Sequence, residues 1–137
     1  MARTLGTSLE GEENEATGYS IDSRTVQAGD LFFAIQGPRF DGHDFVDSVW
    51  EAGAAGVVVE RSWVSAHDVR GPLLAVDDPA EALRQLACDA RQRWGRPVIG
   101  VTGSNGKTTT KDAIAALLSE RFRVAKTEGN LNNDLGL

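Results

Sequence analysis

The chain has 137 residues and a formal net charge of −6, and this length predicts one domain, or one domain and part of another. The acidic balance argues against nucleic acid or an anionic membrane surface as the main partner. The acidic first residues do not resemble a secretory signal, and the longest apolar run is too short to span a bilayer, so we expect a cytoplasmic protein without membrane insertion. A single cysteine excludes an internal disulfide, and Cys88, His43 and His67 are expected to be structural residues and not metal ligands.

The first third of the chain predicts two strands after an irregular start. Residues 1–18 are acidic, show no sustained hydrophobic period and predict a weakly ordered arm. Residues 19–22 predict a short strand, and the almost wholly apolar residues 31–35 predict a second one, with a turn at residues 28–30 between them. A loop with glycine and proline, residues 36–44, follows the second strand.

A helix and two buried strands are predicted next. Asp44 is a suitable N-cap for a helix that ends near Gly53, because apolar residues recur between them at helical spacing. Residues 57–59 and 73–76 are apolar without alternation, which is typical of strands buried on both faces.

A second helix is predicted from its first turn. Asp78 is an N-cap, Pro79 fits the first helical position, and Glu81 supplies a carboxylate in the first turn. Residues 95–97 should end this helix. Its apolar face is expected to consist of Leu83, Leu86, Ala87, Ala90 and Trp94.

Alternating strands and helices predict an α/β fold with a largely parallel sheet. We place a domain boundary at residues 95–97, so that residues 1–96 form a small α/β domain and residues 97–137 begin a second one. The second part is expected to be the first βαβ unit of a truncated P-loop ATP-binding domain, with strands at residues 98–102 and 122–125. Its helix should run from Lys107 to Arg121 with Ile114, Leu117 and Leu118 directed inward.

Residues 102–109, with the sequence T-G-S-N-G-K-T-T, predict a phosphate-binding loop between that strand and that helix. Glycines allow the backbone N–H groups to surround an anion at the helix N-terminus. Lys107 would reach the β- and γ-phosphates of ATP as the catalytic cation, and the Thr108 hydroxyl would bind Mg²⁺. The ATP-binding residues are predicted to be Gly103, Ser104, Asn105, Gly106, Lys107, Thr108 and Thr109.

The loop departs from the strict Walker pattern, because Val101 stands where the first glycine would be. The alternative interpretation is a glycine-rich turn with an exposed lysine. A phosphate-loop enzyme also needs a second carboxylate for Mg²⁺ from a later strand, and none follows here. We therefore expect this chain alone to be catalytically inactive.

Several motifs resemble those of the Mur ligases, the amide-forming enzymes of peptidoglycan precursor synthesis. They are D-S-R at residues 22–24, A-G-D-L-F-F-A at residues 28–34, D-G-H-D-F at residues 41–45, and the phosphate loop. The run G-N-L-N-N-D-L-G at residues 129–136 is similar to the family member that uses D-alanyl-D-alanine. The resemblance covers residues 19–137, and the amphipathic helix expected near the start is replaced by the acidic arm.

The resemblance implies an ATP-dependent ligase, as the full-length protein, that works through an acyl phosphate. ATP and Mg²⁺ would activate the terminal carboxylate of UDP-N-acetylmuramoyl-tripeptide, and the amine of D-alanyl-D-alanine would attack it. We expect a monomer. Because the family's N-terminal domain holds the uridine nucleotide, the resemblance places the UDP-sugar against Ser23, Arg24, Arg39, Phe40 and Asn130.

Without the family, Arg24 and Arg39 would be solvated surface charges, Phe40 a loop anchor, and Asn130 a turn former. Three alternative functions stay open at this point: a non-catalytic uridine-nucleotide-binding module, another Mur-type ligase, and an unrelated P-loop ATPase.

Overall fold

Four parallel strands form one sheet in the first part of the chain. The computed structural model describes residues 16–127, and the strands lie in it in the order β1-β2-β3-β4. Their bounds are β1 Gly18–Ser20, β2 Asp30–Phe33, β3 Gly56–Glu60 and β4 Leu73–Val76. The predicted α/β class and parallel sheet are confirmed, and the predicted range of β4 agrees to the residue.

The register of the ladders explains why the central strands are almost wholly apolar. Phe32 pairs with Val57, which pairs with Leu73, while Phe33 pairs with Val58, so the two sets lie on opposite faces of the sheet. All of these side chains are buried, as expected of a parallel sheet covered on both faces. One face carries a core cluster, made of Phe32, Ala34, Val46, Val49, Val57, Val59 and Leu73.

Short helices connect the strands. A 3-10 helix, Gly42–Phe45, leads directly into α1, Val46–Glu51, between β2 and β3. Helix α2, Arg61–Val64, follows β3 and was not predicted. The predicted N-cap Asp44 is wrong, because Asp41 caps the 3-10 helix by accepting a hydrogen bond from the His43 backbone N–H.

Helix α3, Pro79–Trp94, begins as predicted. The Asp78 carboxylate accepts hydrogen bonds from the backbone N–H groups of Ala80 and Glu81, at 2.8 and 3.2 Å. The predicted apolar face is only partly correct, because burial is confined to the first turns, at Pro79, Ala82 and Leu83. Ala87, Ala90 and Trp94 are exposed.

Helix α4, Lys107–Ser119, is the one regular element in the described residues after α3. The predicted strands at residues 98–102 and 122–125 are wrong for this structure, because neither stretch is paired with a neighbouring backbone among residues 16–127. Leu117 was predicted to point inward but is 75% exposed, whereas Ala115 is buried. Ile114 and Leu118 are half-buried.

The chain divides into two compact units, Met1–Arg93 and Trp94–Leu137. The sheet and its core lie in the first unit, and the predicted phosphate loop with α4 lies in the second. None of the helices found in residues 16–127 has the length and apolar character needed to cross a bilayer.

Candidate functional site

The predicted phosphate loop has the backbone of a turn that only glycine tolerates well. Gly103 has φ +142° and Gly106 has φ +75°, both in the region that L side chains avoid. Gly106 stands at the N-cap position of α4, and its carbonyl accepts the backbone N–H of Thr110 at 2.9 Å. The turn therefore leads straight into the helix, and the first N–H groups of α4 face out of its N-terminus.

Lys107 lies across this turn. Its Nζ donates a hydrogen bond to the carbonyl oxygen of Gly103 at 2.6 Å, which holds the ammonium above the loop. Ser104, Asn105, Thr108 and Thr109 are exposed around it. A cation, the N–H groups of the first helical turn and two threonine hydroxyls are the donor set that a polyphosphate needs, so the residues present fit a nucleotide phosphate.

Two lysines connect α4 to the segment that follows it, a feature that the sequence did not indicate. Lys111 Nζ donates to the carbonyl oxygen of Thr127 at 2.6 Å, and Lys126 Nζ lies 2.8 Å from the Asp112 carboxylate. The hydrogen bond from Lys126 lowers the pKa of Asp112 below its usual value. The two contacts hold residues 126 and 127 beside the first turns of α4.

An open cavity of about 710 Å³ lies within this second unit. Its walls are mostly apolar, with Val98, Ile99, Ile114, Leu118 and Phe122 among them. Lys107, Thr108 and Lys111 also line it, so the predicted phosphate loop borders this apolar cavity.

In the first unit, two predicted substrate-binding loops lie at the same edge of the sheet. Strands β1 and β2 are parallel neighbours, with Ser20 opposite Phe32. Residues 21–24 and 34–41 follow their carboxyl ends, which is where ligands commonly bind in open α/β sheets. Adjacent, parallel strands thus bring the two loops, with Ser23 and Arg24 on one and Arg39 and Phe40 on the other, to one edge.

Arg24 is held by a carboxylate of its own loop. Asp22 accepts hydrogen bonds from Arg24 Nε at 2.8 Å and from Arg24 Nη2 at 2.6 Å, and also from the Arg24 backbone N–H. The guanidinium, and then the backbone N–H, lower the pKa of Asp22 to about 2 from its usual 3.8. Asp22 thereby orients an exposed guanidinium that keeps a second edge available for an anion.

Arg39 and Phe40 lie on a short hairpin after β2. Gln36 and Asp41 form an antiparallel bridge, and the Gly37 N–H donates to the Phe40 carbonyl at 2.8 Å. Phe40 is 74% exposed, so its ring is accessible for stacking. Asn130 lies outside the described residues, so its predicted role has no structural description.

Asp41 and His43 form a pair that sequence reasoning missed. Asp41 Oδ1 lies 2.6 Å from His43 Nδ1, and His43 Nε2 accepts the backbone N–H of Glu60 at 3.0 Å. Burial raises the pKa of Asp41, but the backbone and ring hydrogen bonds from His43 outweigh it, and the net pKa is lowered. The spacing of Asp41 and His43 could have predicted the hydrogen bond between them. The bond from Glu60 to His43 could not be predicted in this way, because the two residues are seventeen positions apart in the chain.

No group of three His, Cys, Asp or Glu side chains in residues 16–127 is placed to hold a metal ion. For Mg²⁺, the described residues supply the Thr108 hydroxyl beside the loop. That hydroxyl fits a metal that is held mainly by nucleotide phosphates.

Comparison with known proteins gives two family matches. Residues 15–91 match the model described as "Mur ligase family, catalytic domain", and residues 101–137 match the model described as "Mur ligase middle domain". UDP-N-acetylmuramoyl-tripeptide--D-alanyl-D-alanine ligase of Bacillus subtilis (strain 168) is 48% identical over 126 residues, covering 92% of this chain and 27% of the relative. UDP-N-acetylmuramoyl-L-alanyl-D-glutamate--2,6-diaminopimelate ligase of Aquifex aeolicus (strain VF5) is 44% identical over 124 residues, covering 87% of this chain and 24% of that protein.

Solved structures show the same similarity. MurF from Acinetobacter baumannii superposes with a TM-score of 0.86 at 37% identity, covering 98% of this chain and 30% of that structure. MurF ligase from Thermotoga maritima, solved in complex with ADP, gives a TM-score of 0.73 at 35% identity, covering 92% and 29%. The chain thus spans less than a third of the length of these relatives.

Proposed function

This chain belongs to the Mur ligase family, and we propose that it is the N-terminal portion of an ATP-dependent ligase of the MurF type. The reaction joins D-alanyl-D-alanine to UDP-N-acetylmuramoyl-tripeptide. The observation that carries the proposal is the loop from Gly103 to Gly106, which directs Lys107 and the N-terminus of α4 toward one anion site. Similarity to the Bacillus subtilis enzyme over 92% of the chain supports the choice of ligase.

In this proposal the second unit binds the phosphates of ATP, which supplies the phosphoryl group for an acyl phosphate. Backbone N–H groups of residues 104–109 surround the phosphates, and the ammonium of Lys107 offsets the negative charge that develops during transfer. Thr108 contributes its hydroxyl to Mg²⁺. The Thermotoga maritima relative was solved in complex with ADP, which supports an adenine nucleotide as the ligand.

The first unit provides the uridine site. Ser23, Arg24, Arg39 and Phe40 lie on loops at one edge of the sheet, and their chemistry suits a nucleoside diphosphate. An exposed aromatic ring can stack on the uracil, and guanidinium groups can bind the pyrophosphate. Residues 1–96 are therefore the proposed UDP-substrate domain, and residues 97–137 the start of the ATP-binding domain. We also propose a monomeric, cytoplasmic enzyme.

The second candidate is the ligase that adds 2,6-diaminopimelate, because the Aquifex aeolicus relative is 44% identical over most of this chain. The two candidates differ in both substrates. A ligase of the MurF type uses the tripeptide and D-alanyl-D-alanine, whereas the other uses the dipeptide and the free diamino acid.

A phosphate-release assay on the complete ligase that carries this chain separates the candidates. It is supplied with ATP and either UDP-N-acetylmuramoyl-tripeptide with D-alanyl-D-alanine or UDP-N-acetylmuramoyl-dipeptide with 2,6-diaminopimelate. We expect phosphate release only with the first pair, and none when either member of it is left out. Release with the second pair alone would replace the proposal by the second candidate, and release with neither would leave a nucleotide-binding module.

A further inference from the structure

The hairpin that carries Arg39 and Phe40 is held at its base. We call residues 37–40 the loop tip. Hydrogen bonds join the Gly42 N–H to the Ile35 carbonyl at 3.0 Å and the Gly37 N–H to the Phe40 carbonyl at 2.8 Å. The tip itself is exposed throughout. Its position therefore depends on what holds the residues just after it.

His43 joins those residues to the sheet. The ring is 8% exposed, and its Nε2 accepts the backbone N–H of Glu60, the last residue of β3, at 3.0 Å. A backbone N–H can only donate, so Nε2 carries no proton and Nδ1 carries it. Nδ1 then donates to the Asp41 carboxylate at 2.6 Å. Asp41 closes the hairpin through its bridge to Gln36. One imidazole ring thus links the hairpin base to a strand seventeen residues away.

The surroundings of the ring leave it little freedom. Trp63 lies with its ring centroid 5.8 Å from that of His43, and the His67 ring stacks on Trp63 with a centroid distance of 4.3 Å. On the backbone side, a Cβ at Gly42 would come within 2.8 Å of the Ala34 Cα, so the chain next to His43 already lies in close contact with the end of β2. A ring held in this way can hold the hairpin in turn.

We propose that His43 is a positioning residue that fixes the loop tip for binding of a uridine nucleotide. The inference rests on the proposed role of Arg39 and Phe40, which would contact the nucleotide themselves. A loop that is already in its binding geometry loses less conformational entropy when the ligand binds. The bond from Glu60 is the decisive one, because it ties the hairpin to the sheet, whereas the bond to Asp41 lies within the hairpin.

Variants with an amide side chain at position 43 can distinguish the contributions of the two hydrogen bonds that the His43 ring makes, to Glu60 and to Asp41. Glutamine reaches about as far as Nε2 and can still accept the Glu60 N–H, whereas asparagine reaches about as far as Nδ1 and can still donate to Asp41. Calorimetric titration of the 137-residue chain with UDP is therefore made on the parent, His43→Ala, His43→Gln and His43→Asn. Gln92→Ala is the control, since Gln92 is an exposed residue of α3 and takes no part in the ring cluster of His43, Trp63 and His67.

We expect His43→Ala to bind UDP about tenfold more weakly than the parent. His43→Gln should recover most of that loss and His43→Asn little of it, and Gln92→Ala should bind as the parent does. Two ligand-free measurements accompany the titration. The ¹⁵N shifts of the His43 ring should report a proton on Nδ1, and the Gly37 amide should exchange faster in His43→Ala than in Gln92→Ala.

Several results would overturn the inference. The first is an unchanged UDP affinity in a folded His43→Ala variant. The second is recovery of UDP affinity by His43→Asn and not by His43→Gln. The third is a His43 ring that carries its proton on Nε2. If His43→Ala does not fold, the inference is still tested by the UDP affinities of His43→Gln and His43→Asn. The ¹⁵N shifts of the His43 ring in the parent test it as well. Absence of UDP binding by the parent would overturn both the inference and the proposed uridine pocket, while the ligation assay would remain an independent test of the activity.

Discussion

Lys107 donates a hydrogen bond from Nζ to the carbonyl oxygen of Gly103, four residues earlier, at 2.6 Å. The lysine is therefore held over its own loop before any phosphate arrives. An ammonium has three donors, so it can keep this bond and still contact an anion. Little ordering of the long side chain is then required when a nucleotide binds.

The first prediction concerns that lysine in the complete ligase. Lys107→Ala should lower kcat by about 10²-fold or more, because a preorganised cation that faces developing charge contributes on that scale. Alanine keeps helix propensity, so α4 should persist. Phosphate release measures the rate and circular dichroism the fold.

Lys126→Ala is the control for that variant. Lys126 pairs with Asp112 at an exposed position, and such pairs contribute little to stability. Its rate should stay within about twofold of the parent, which is a difference below 1 kcal/mol. Near-parental ligation by Lys107→Ala would remove Lys107 from the phosphate site.

The second prediction uses two glycines of the same unit. A Cβ at Gly106 or at Gly100 would meet no atom within 4 Å, but only Gly106 has a positive φ, of 75°. Gly106→Ala should therefore be destabilising by about 1–2 kcal/mol through backbone strain alone, and Gly100→Ala should not be. Urea unfolding of both variants gives the comparison. Equal stability of the two would mean that the turn can relax to negative φ.

The third prediction concerns the Asp22 carboxyl. The pKa of Asp22 is lowered to about 2 by Arg24, so Arg24→Ala should raise it toward 3.8. It should stop short of that value, since the backbone N–H of residue 24 still donates to the carboxylate. A ¹³C titration of the Asp22 carboxyl measures the shift, and Arg39→Ala serves as the control.

The sign of the stability effect follows from the direction of the shift. A carboxyl with a lowered folded-state pKa stabilises the fold at pH values above its unfolded pKa, near 3.8, and this contribution is lost as the pH falls toward 2. The parent and Arg24→Ala should therefore differ in stability above pH 4 and converge below pH 2. A difference that grows on acidification would contradict the pairing.

The fourth prediction tests the loop tip directly. The double variant Arg39→Ala with Phe40→Ala should bind UDP more weakly, while thermal stability barely changes because both side chains are exposed. Calorimetry with UDP and with ADP measures affinity and selectivity. Arg70→Ala is a matched control, because Arg70 is an exposed arginine that precedes β4, at the opposite end of the sheet. Equal affinity for UDP and ADP in the parent would leave the tip without an assigned ligand.

The elements predicted well are those whose causes are local. Helix α3 begins as expected because its start depends on two adjacent residues, the N-cap Asp78 and Pro79. Strand β4 agrees with its predicted range because an apolar run without alternation is buried on both faces wherever a parallel sheet forms. The turn formed by Gly103 and Gly106 also has a local cause, since a positive φ is a property of single residues.

Predictions that depended on distant residues were less successful. The stretches at residues 98–102 and 122–125 have strand-like composition, but a strand also needs a paired neighbour, which its own residues cannot specify. Asp44 and Asp41 are equally suitable caps by composition. Asp41 serves because His43, held by Glu60, donates to it.

The sequence alone therefore determined the α/β class, the resemblance to the Mur ligases and the position of the glycine turn before α4, since these depend on residue type and short-range spacing. The tertiary structure decided which side chains act together. It paired Arg24 with Asp22, turned Lys107 back onto Gly103, and placed the His43 ring between the hairpin and β3. Hydrogen bonds require distances within a few tenths of an ångström, and only the folded backbone sets distances between residues that are far apart in the chain.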